Sequence, residues 1–414
     1  MAFGKRAAAA ALVLLVTAPG ALATKSHVRI HIRTGSANTA TKKSAGSLFG
    51  QLEDLDPAQF KIATCTPQAW NVTRNKASAL WLDFGSIQLS GGDQLIVSAL
   101  DGSRAQVLSS TLKNGISTTP VAGDSLKLEF RPSKDASASG SGCASSKKLS
   151  SFTIEKLGVG IPSDQFVTKE AICGKEQLVN AQCLQQELKN QTDAVMRLLI
   201  EKDGEGYWCS AWLWGNQGHI VTNHHCISSQ LHVDKTQFQF KVETPGCEDK
   251  KCTPHKCPVG EILYGKDSVE FVRADKDLDF AILKIAANQS AKFVTNYGYL
   301  RLRKGEAKPS ETFFLVQHPH GGPKVIPAIL NTGDAADTLI PNLSTLYRTT
   351  SDIVNALGYM ADTEGGSSGS PLIADEDRLV IGLHHLGGCP NKAVASIQLA
   401  SALSVQFKDN DGFA

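Results

Sequence analysis

Apolar residues in this chain come in short runs broken by turn residues, a pattern that favours strands over helices. Ala79 to Phe84, Gln94 to Leu100, Ser125 to Phe130 and Phe152 to Val159 are separated by Gly91-Gly92-Asp93, by Asp101-Gly102 and by the Ser/Gly/Ala-rich stretch from Ser137 to Ser146. Short strands at that spacing predict a small β-sandwich. A second series starts beyond residue 170 with Val195 to Ile200, Tyr207 to Trp214 and His219 to Thr222. The turns Lys202-Asp203-Gly204-Glu205-Gly206 and Gly215-Asn216-Gln217-Gly218 join them, and further strands follow at Phe280 to Ile285, Thr312 to Gln317 and Leu379 to Leu383. An all-β chain is expected, with residues 24–170 forming one domain and residues 171–414 another.

Residues 1–23 read as a signal peptide. Lys5 and Arg6 precede an apolar run from Ala7 to Val16, and Ala21-Leu22-Ala23 has the small-x-small form of a cleavage site, which places the mature start at Thr24. The run is too short to span a bilayer, which needs about 20 apolar residues. Without this leader the chain holds 40 basic and 40 acidic residues, so no field remains to recruit nucleic acid or an anionic membrane. Export to an oxidising compartment makes the 10 cysteines candidates for disulfides first and metal ligands second. Cys65 and Cys143 stand alone in the first domain and are expected to pair. Asn71, Asn190, Asn288 and Asn342 begin Asn-x-Ser/Thr sequons, plausible glycan sites on an exported chain.

Three segments of the second domain carry reactive side chains: Thr222-Asn223-His224-His225-Cys226, Asp277-Leu278-Asp279-Phe280-Ala281-Ile282-Leu283 and Gly365-Gly366-Ser367-Ser368-Gly369-Ser370-Pro371. Singly, each has an ordinary structural reading as a packed histidine, a strand-start acid or a flexible loop. Together they supply what acyl transfer needs. A serine hydroxyl is a weak nucleophile unless an imidazole takes its proton, and a carboxylate must hold that imidazole in the right tautomer. Ser368, His225 and Asp279 fill those roles, Asp279 being preferred to Asp277 because an apolar strand follows it directly. Gly366 and Gly369 let the chain turn so that the N–H groups of Gly366 and Ser368 can face a developing oxyanion.

In this His, Asp, Ser order, with T-N-H-H-C like the family's T-A-A-H-C and G-S-S-G-S-P for G-D-S-G-G-P, the second domain resembles the trypsin-like (chymotrypsin-fold) serine proteases. Thr363-Glu364 before the serine loop and Val380-Ile381-Gly382-Leu383-His384 after it are similar to secreted bacterial-type lysyl and glutamyl endopeptidases. The resemblance implies two perpendicular β-barrels with the triad between them, and a Cys209–Cys226 disulfide closing the His225 loop. It also implies Cys173 with Cys389, and Cys183 with one of Cys247, Cys252 and Cys257. Those last three with His255 form the one alternative metal set, set aside because no C-x-x-C pair is present. Ser367 stands where trypsin-like zymogens keep the aspartate that pairs with a new N-terminus, so that activation device is excluded. Residues 24–170 are expected as a propeptide like those of the lysyl endopeptidase group or as an accessory domain, and as a propeptide they would inhibit by blocking or assist by templating folding.

The expected activity is a secreted, cofactor-free, monomeric endopeptidase acting on protein or peptide substrates. Asp362 holds the place of the carboxylate in trypsin's S1 pocket, which would select Lys or Arg at P1. Thr363 and His384 hold positions that glutamyl endopeptidases use for a P1 carboxylate, so they pull the other way. Two other functions compete: an inactive homologue that binds or inhibits a partner protein, and an adhesin or carbohydrate-binding role for residues 24–170.

Overall fold

The computed structural model describes residues 12–16, 27–30, 47–55, 67–109, 116–133, 150–162, 172–173, 176–308, 311–331, 338–341, 344–345, 347–349 and 356–414. The chain divides into two compact units, residues 1–42 with 50–165, and residues 43–49 with 166–414.

In the first unit an antiparallel sheet runs in the order His27–Ile30, Leu12–Val16, Gln68–Thr73, Ser125–Arg131, Gln94–Ser98, Gln106–Leu108. Its Leu12–Val16 strand lies within the expected leader. In a second sheet Ser151–Gly160 pairs with Ala79–Gln88 on one side and with residues 50–54 on the other. Leu82, Phe84 and Phe152 from the second sheet share one cluster with Leu95, Leu126, Leu128 and Phe130 from the first. Ser125–Arg131 alternates buried and half-buried residues until its exposed end, the signature of a strand with one face on a core.

The second unit holds the two antiparallel sheets of a chymotrypsin-like double barrel. The first runs in the order Ile262–Tyr264, Thr236–Gln239, Val195–Lys202, Glu205–Trp214, His219–Thr222, Phe280–Ile285, Val269–Asp275. The second is built on Thr312–Leu315, Pro371–Ala374, Val380–Leu386, Asn391–Ala395 and Ala356–Tyr359, in that order. Trp212 and Phe280 from the first sheet and Ile373, Leu383 and Val394 from the second belong to one core cluster. Burial is continuous along much of Val195–Lys202 and Glu205–Trp214, where covering on both faces replaces the alternation of a half-exposed strand.

Among the described residues, four disulfides join Cys173 to Cys389, Cys183 to Cys247, Cys209 to Cys226 and Cys252 to Cys257. The alternative metal set is therefore consumed, and His255 instead sits 5.6 Å, centroid to centroid, from Trp208. Cys65, Cys143, Thr24 and Asn342 lie outside the described residues. Asn190 and Asn288 are exposed on helices, whereas Asn71 is half-buried in a strand.

Lys324 has no exposed surface, and its ammonium donates to Glu243 Oε1 at 2.8 Å and to the Thr192 carbonyl at 2.6 Å. Burial lowers its pKa, and the Glu243 charge opposes that shift. Breaking one side of such a pair strands a buried charge at a cost of about 3–5 kcal/mol, whereas replacing both partners with apolar groups is far milder. Glu243→Ala should therefore lose about that much stability in urea unfolding, and Glu243→Leu combined with Lys324→Met should recover most of it.

Candidate active site

Two neighbours on the Glu205–Trp214 strand position the reactive groups. Cys209 is bonded to Cys226, the residue after His225. Ser210 donates its N–H to the Ser368 carbonyl at 2.8 Å and its hydroxyl to the Gly366 carbonyl at 2.9 Å. The histidine and serine loops are thus tied to consecutive residues of one rigid strand. Gly369, at φ +89°, passes so close that a Cβ there would stand 2.1 Å from the Ser210 carbonyl oxygen, so no side chain fits.

His225 Nδ1 lies 2.7 Å from Asp279 Oδ2, and the backbone N–H of His225 donates to Asp279 Oδ1 at 3.0 Å. Asp279 itself has φ +45°, a conformation that costs a non-glycine residue of order 1–3 kcal/mol. Asn223 Nδ2 helps hold it by donating to its carbonyl at 2.8 Å. Asp277 stays exposed in the preceding turn, its N–H bonded to Asp275. Burial alone would raise the Asp279 carboxyl, but the His225 charge and the hydrogen bonds from His225, with the His385 ring close by, outweigh it and hold the group well below the usual carboxylate range.

His225 Nε2 and Ser368 Oγ are both buried and have no hydrogen-bond partner, each other included. Such bonds often tighten only when substrate arrives. Among the described residues, the N–H groups of Gly366 and Ser368 are not engaged by any acceptor. Gly366 has φ +99°. A carboxylate-held imidazole, a buried hydroxyl and two unengaged N–H groups can together carry out acyl transfer. The sulfurs of Cys209 and Cys226 cluster with His225 within 4.8 Å, but bonded to each other they offer no thiolate to a metal.

The expected specificity residues separate by environment. Asp362 is 2% exposed, and its two oxygens accept the backbone N–H groups of Cys173 and Gln177, each at 2.9 Å. The Thr363 hydroxyl is buried without a partner. His384 is held through Nδ1 by the Tyr359 hydroxyl at 2.5 Å.

His385 was not singled out by its sequence, since a second histidine in an apolar strand carries no motif. It is buried with Nδ1 3.7 Å from Asp279 Oδ2, and burial lowers its pKa against the pull of that carboxylate. Ser210 gave no signal either.

The fold is a double barrel of the chymotrypsin-like protease class. The chain belongs to the lysyl endopeptidase C-terminal domain family, whose model matches residues 175–396, more than half of its length. It is 33% identical over 268 residues to secreted RxLR effector protein 73 of Plasmopara viticola, across 62% of this chain and 63% of that protein, and so spans less than two thirds of that relative. Among solved structures it is similar to the serine endoprotease from Yersinia pestis, at 16% identity and a TM-score of 0.35, covering 54% of this chain and 66% of that one. It is also similar to catalytically active tobacco etch virus protease complexed with product, at 15% identity and a TM-score of 0.32, covering 49% and 73%.

Because the Asp279 pKa is lowered on folding, its stabilisation is complete above the unfolded value of about 3.9 and is lost as pH falls toward the folded value. The stability gap between wild type and Asp279→Asn should narrow progressively as pH falls below about pH 4 in urea titrations across pH. A gap independent of pH would place the Asp279 contribution in packing alone.

Proposed function

We propose that the chain is a secreted serine endopeptidase that cleaves protein or peptide substrates through an acyl-enzyme, without a cofactor. Ser368 attacks the scissile carbonyl, and His225 takes its proton and returns it to the leaving amine. Asp279 orients the imidazole and stabilises its protonated form, while the Gly366 and Ser368 N–H groups bind the oxyanion. The observation that carries this reading is the 2.7 Å contact of His225 Nδ1 with Asp279 beside two unengaged N–H groups on the serine loop. Membership of a lysyl endopeptidase family supports it. Export is supported by the leader, by four disulfides and by similarity to a protein named as a secreted effector. Similarity to a protein named as an effector is compatible with a second reading, a protease homologue that binds a partner without cutting it.

A fluorophosphonate probe separates the two. The secreted wild type should be labelled, Ser368→Ala should not, and His225→Ala should lose nearly all labelling; an unlabelled wild type would leave the binding reading.

Basic P1 preference is the finer part of the proposal. The family's name and the buried acid six residues before Ser368 support it. Asp362→Ser should lower kcat/KM for a P1-Lys peptide at least tenfold more than for a P1-Ala peptide, a difference of about 1.4 kcal/mol in transition-state binding. Equal losses would make Asp362 a brace for Cys173 and Gln177 only. Faster cleavage of P1-Glu, abolished by His384→Ala, would replace the basic pocket with a glutamyl one.

A further inference from the structure

The edge of the Glu205–Trp214 strand that leads to Ser368 is occupied by a piece of the same chain. His219–Thr222 pairs with that strand only at Trp212–Trp214, which leaves the part before Cys209 open on that side. Backbone groups alternate along a strand, so the N–H groups of Gly206 and Trp208 face the same way as that of Ser210, which meets the nucleophile loop. Beside this stretch lies the strand Ser47–Asp54, whose first three residues belong to the second unit.

The fit is specific at both ends. Phe49 is fully buried, and its ring stacks on Trp208 with centroids 4.4 Å apart and lies 5.5 Å from His255. A Cβ on Gly206 would stand 2.6 Å from the Phe49 ring, so glycine at 206 leaves the space that the ring fills. Ser47 Oγ is 3.3 Å from His320 Nδ1, and a Cβ on Gly365, the neighbour of Gly366, would be 3.2 Å from Ser47 Cβ. His320 is in turn 3.3 Å from Glu364.

We propose that the Gly206–Trp208 edge, with Trp208, His255 and His320, is a binding strip for an extended peptide carrying an aromatic side chain, and that Ser47–Phe49 fills it as a competitor of substrate. The inference rests on the serine-endopeptidase reading. In that reading His225 gives its proton to the leaving amine, so the leaving half of a substrate lies on the side of the Cys209–Cys226 bond, where this edge begins. A segment already tethered in place competes at high effective concentration, and strand addition supplies its main-chain hydrogen bonds.

Two fluorogenic substrates with the same acyl half test it, bearing whichever P1 residue the enzyme prefers. One continues for three residues beyond the scissile bond with an aromatic residue there, and the other ends in an aminocoumarin. Phe49→Ala in the full chain should raise kcat/KM at least about fivefold for the extended substrate and much less for the coumarin, the size expected for one aromatic contact. A synthetic peptide of residues 43–52 should inhibit that variant competitively, and the same peptide with alanine for phenylalanine should be at least about fivefold weaker. Unchanged rates in a variant of unaltered melting temperature, or equal gains on both substrates, would overturn the proposal. Should Phe49→Ala fold poorly, Phe49→Leu serves in its place. If the fluorophosphonate test fails, anisotropy of the labelled peptide on Ser368→Ala protein with Phe49→Leu still reads the strip. Binding weakened by the alanine peptide supports it, and equal binding of both peptides overturns it.

Discussion

The histidine and serine loops of the second unit both hang from Cys209 and Ser210, adjacent residues on one buried strand. Residues next to each other on a strand point to opposite faces, so a disulfide from one and hydrogen bonds from the other can hold two different loops without competing. Cys209 fixes the loop carrying His225 through Cys226, and Ser210 fixes the carbonyls on either side of Ser367. Thr222 closes the frame by donating its hydroxyl to the Ser210 carbonyl at 2.9 Å. A rigid strand as the common support fixes the two loops relative to each other.

The carboxylate is held differently, by hydrogen bonds that offset a strained backbone. Asp279 enters its strand with a left-handed backbone, and His225 and Asn223 hydrogen-bond it in place. Asp is among the few residue types that tolerate this conformation. Its lowered pKa follows from the same contacts, with His385 adding a second imidazole 3.7 Å from the oxygen that meets His225.

The serine loop has no aspartate to pair with a newly cut N-terminus. Ser367 occupies that place, its hydroxyl accepting the Glu364 N–H at 3.2 Å. Upstream, Asp362 receives two backbone N–H groups from the segment that Cys173 staples to Cys389. Bracing of this loop thus comes from internal amides and a disulfide, neither of which requires a free terminus.

Much of this was legible from residue order. Turn residues between apolar runs mark the strands because a strand's hydrogen bonding must end where Gly and Asp reverse the chain, and the runs at Ala79, Ser125, Val195, His219 and Phe280 all start strands. The helices Gln185–Asp193 and Ala287–Tyr297 left no comparable mark, because both are short and owe their stability to packing rather than to a strong period. Motif spacing singled out His225, Asp279 and Ser368, since a nucleophile loop needs its glycines next to the serine in the chain. Tertiary structure alone decided what comes from elsewhere: Ser210 under the serine loop, His385 against Asp279, the backbone amides on Asp362, and Phe49 on Trp208. These contacts join residues far apart in sequence, and no local pattern records a partner that only folding brings within reach.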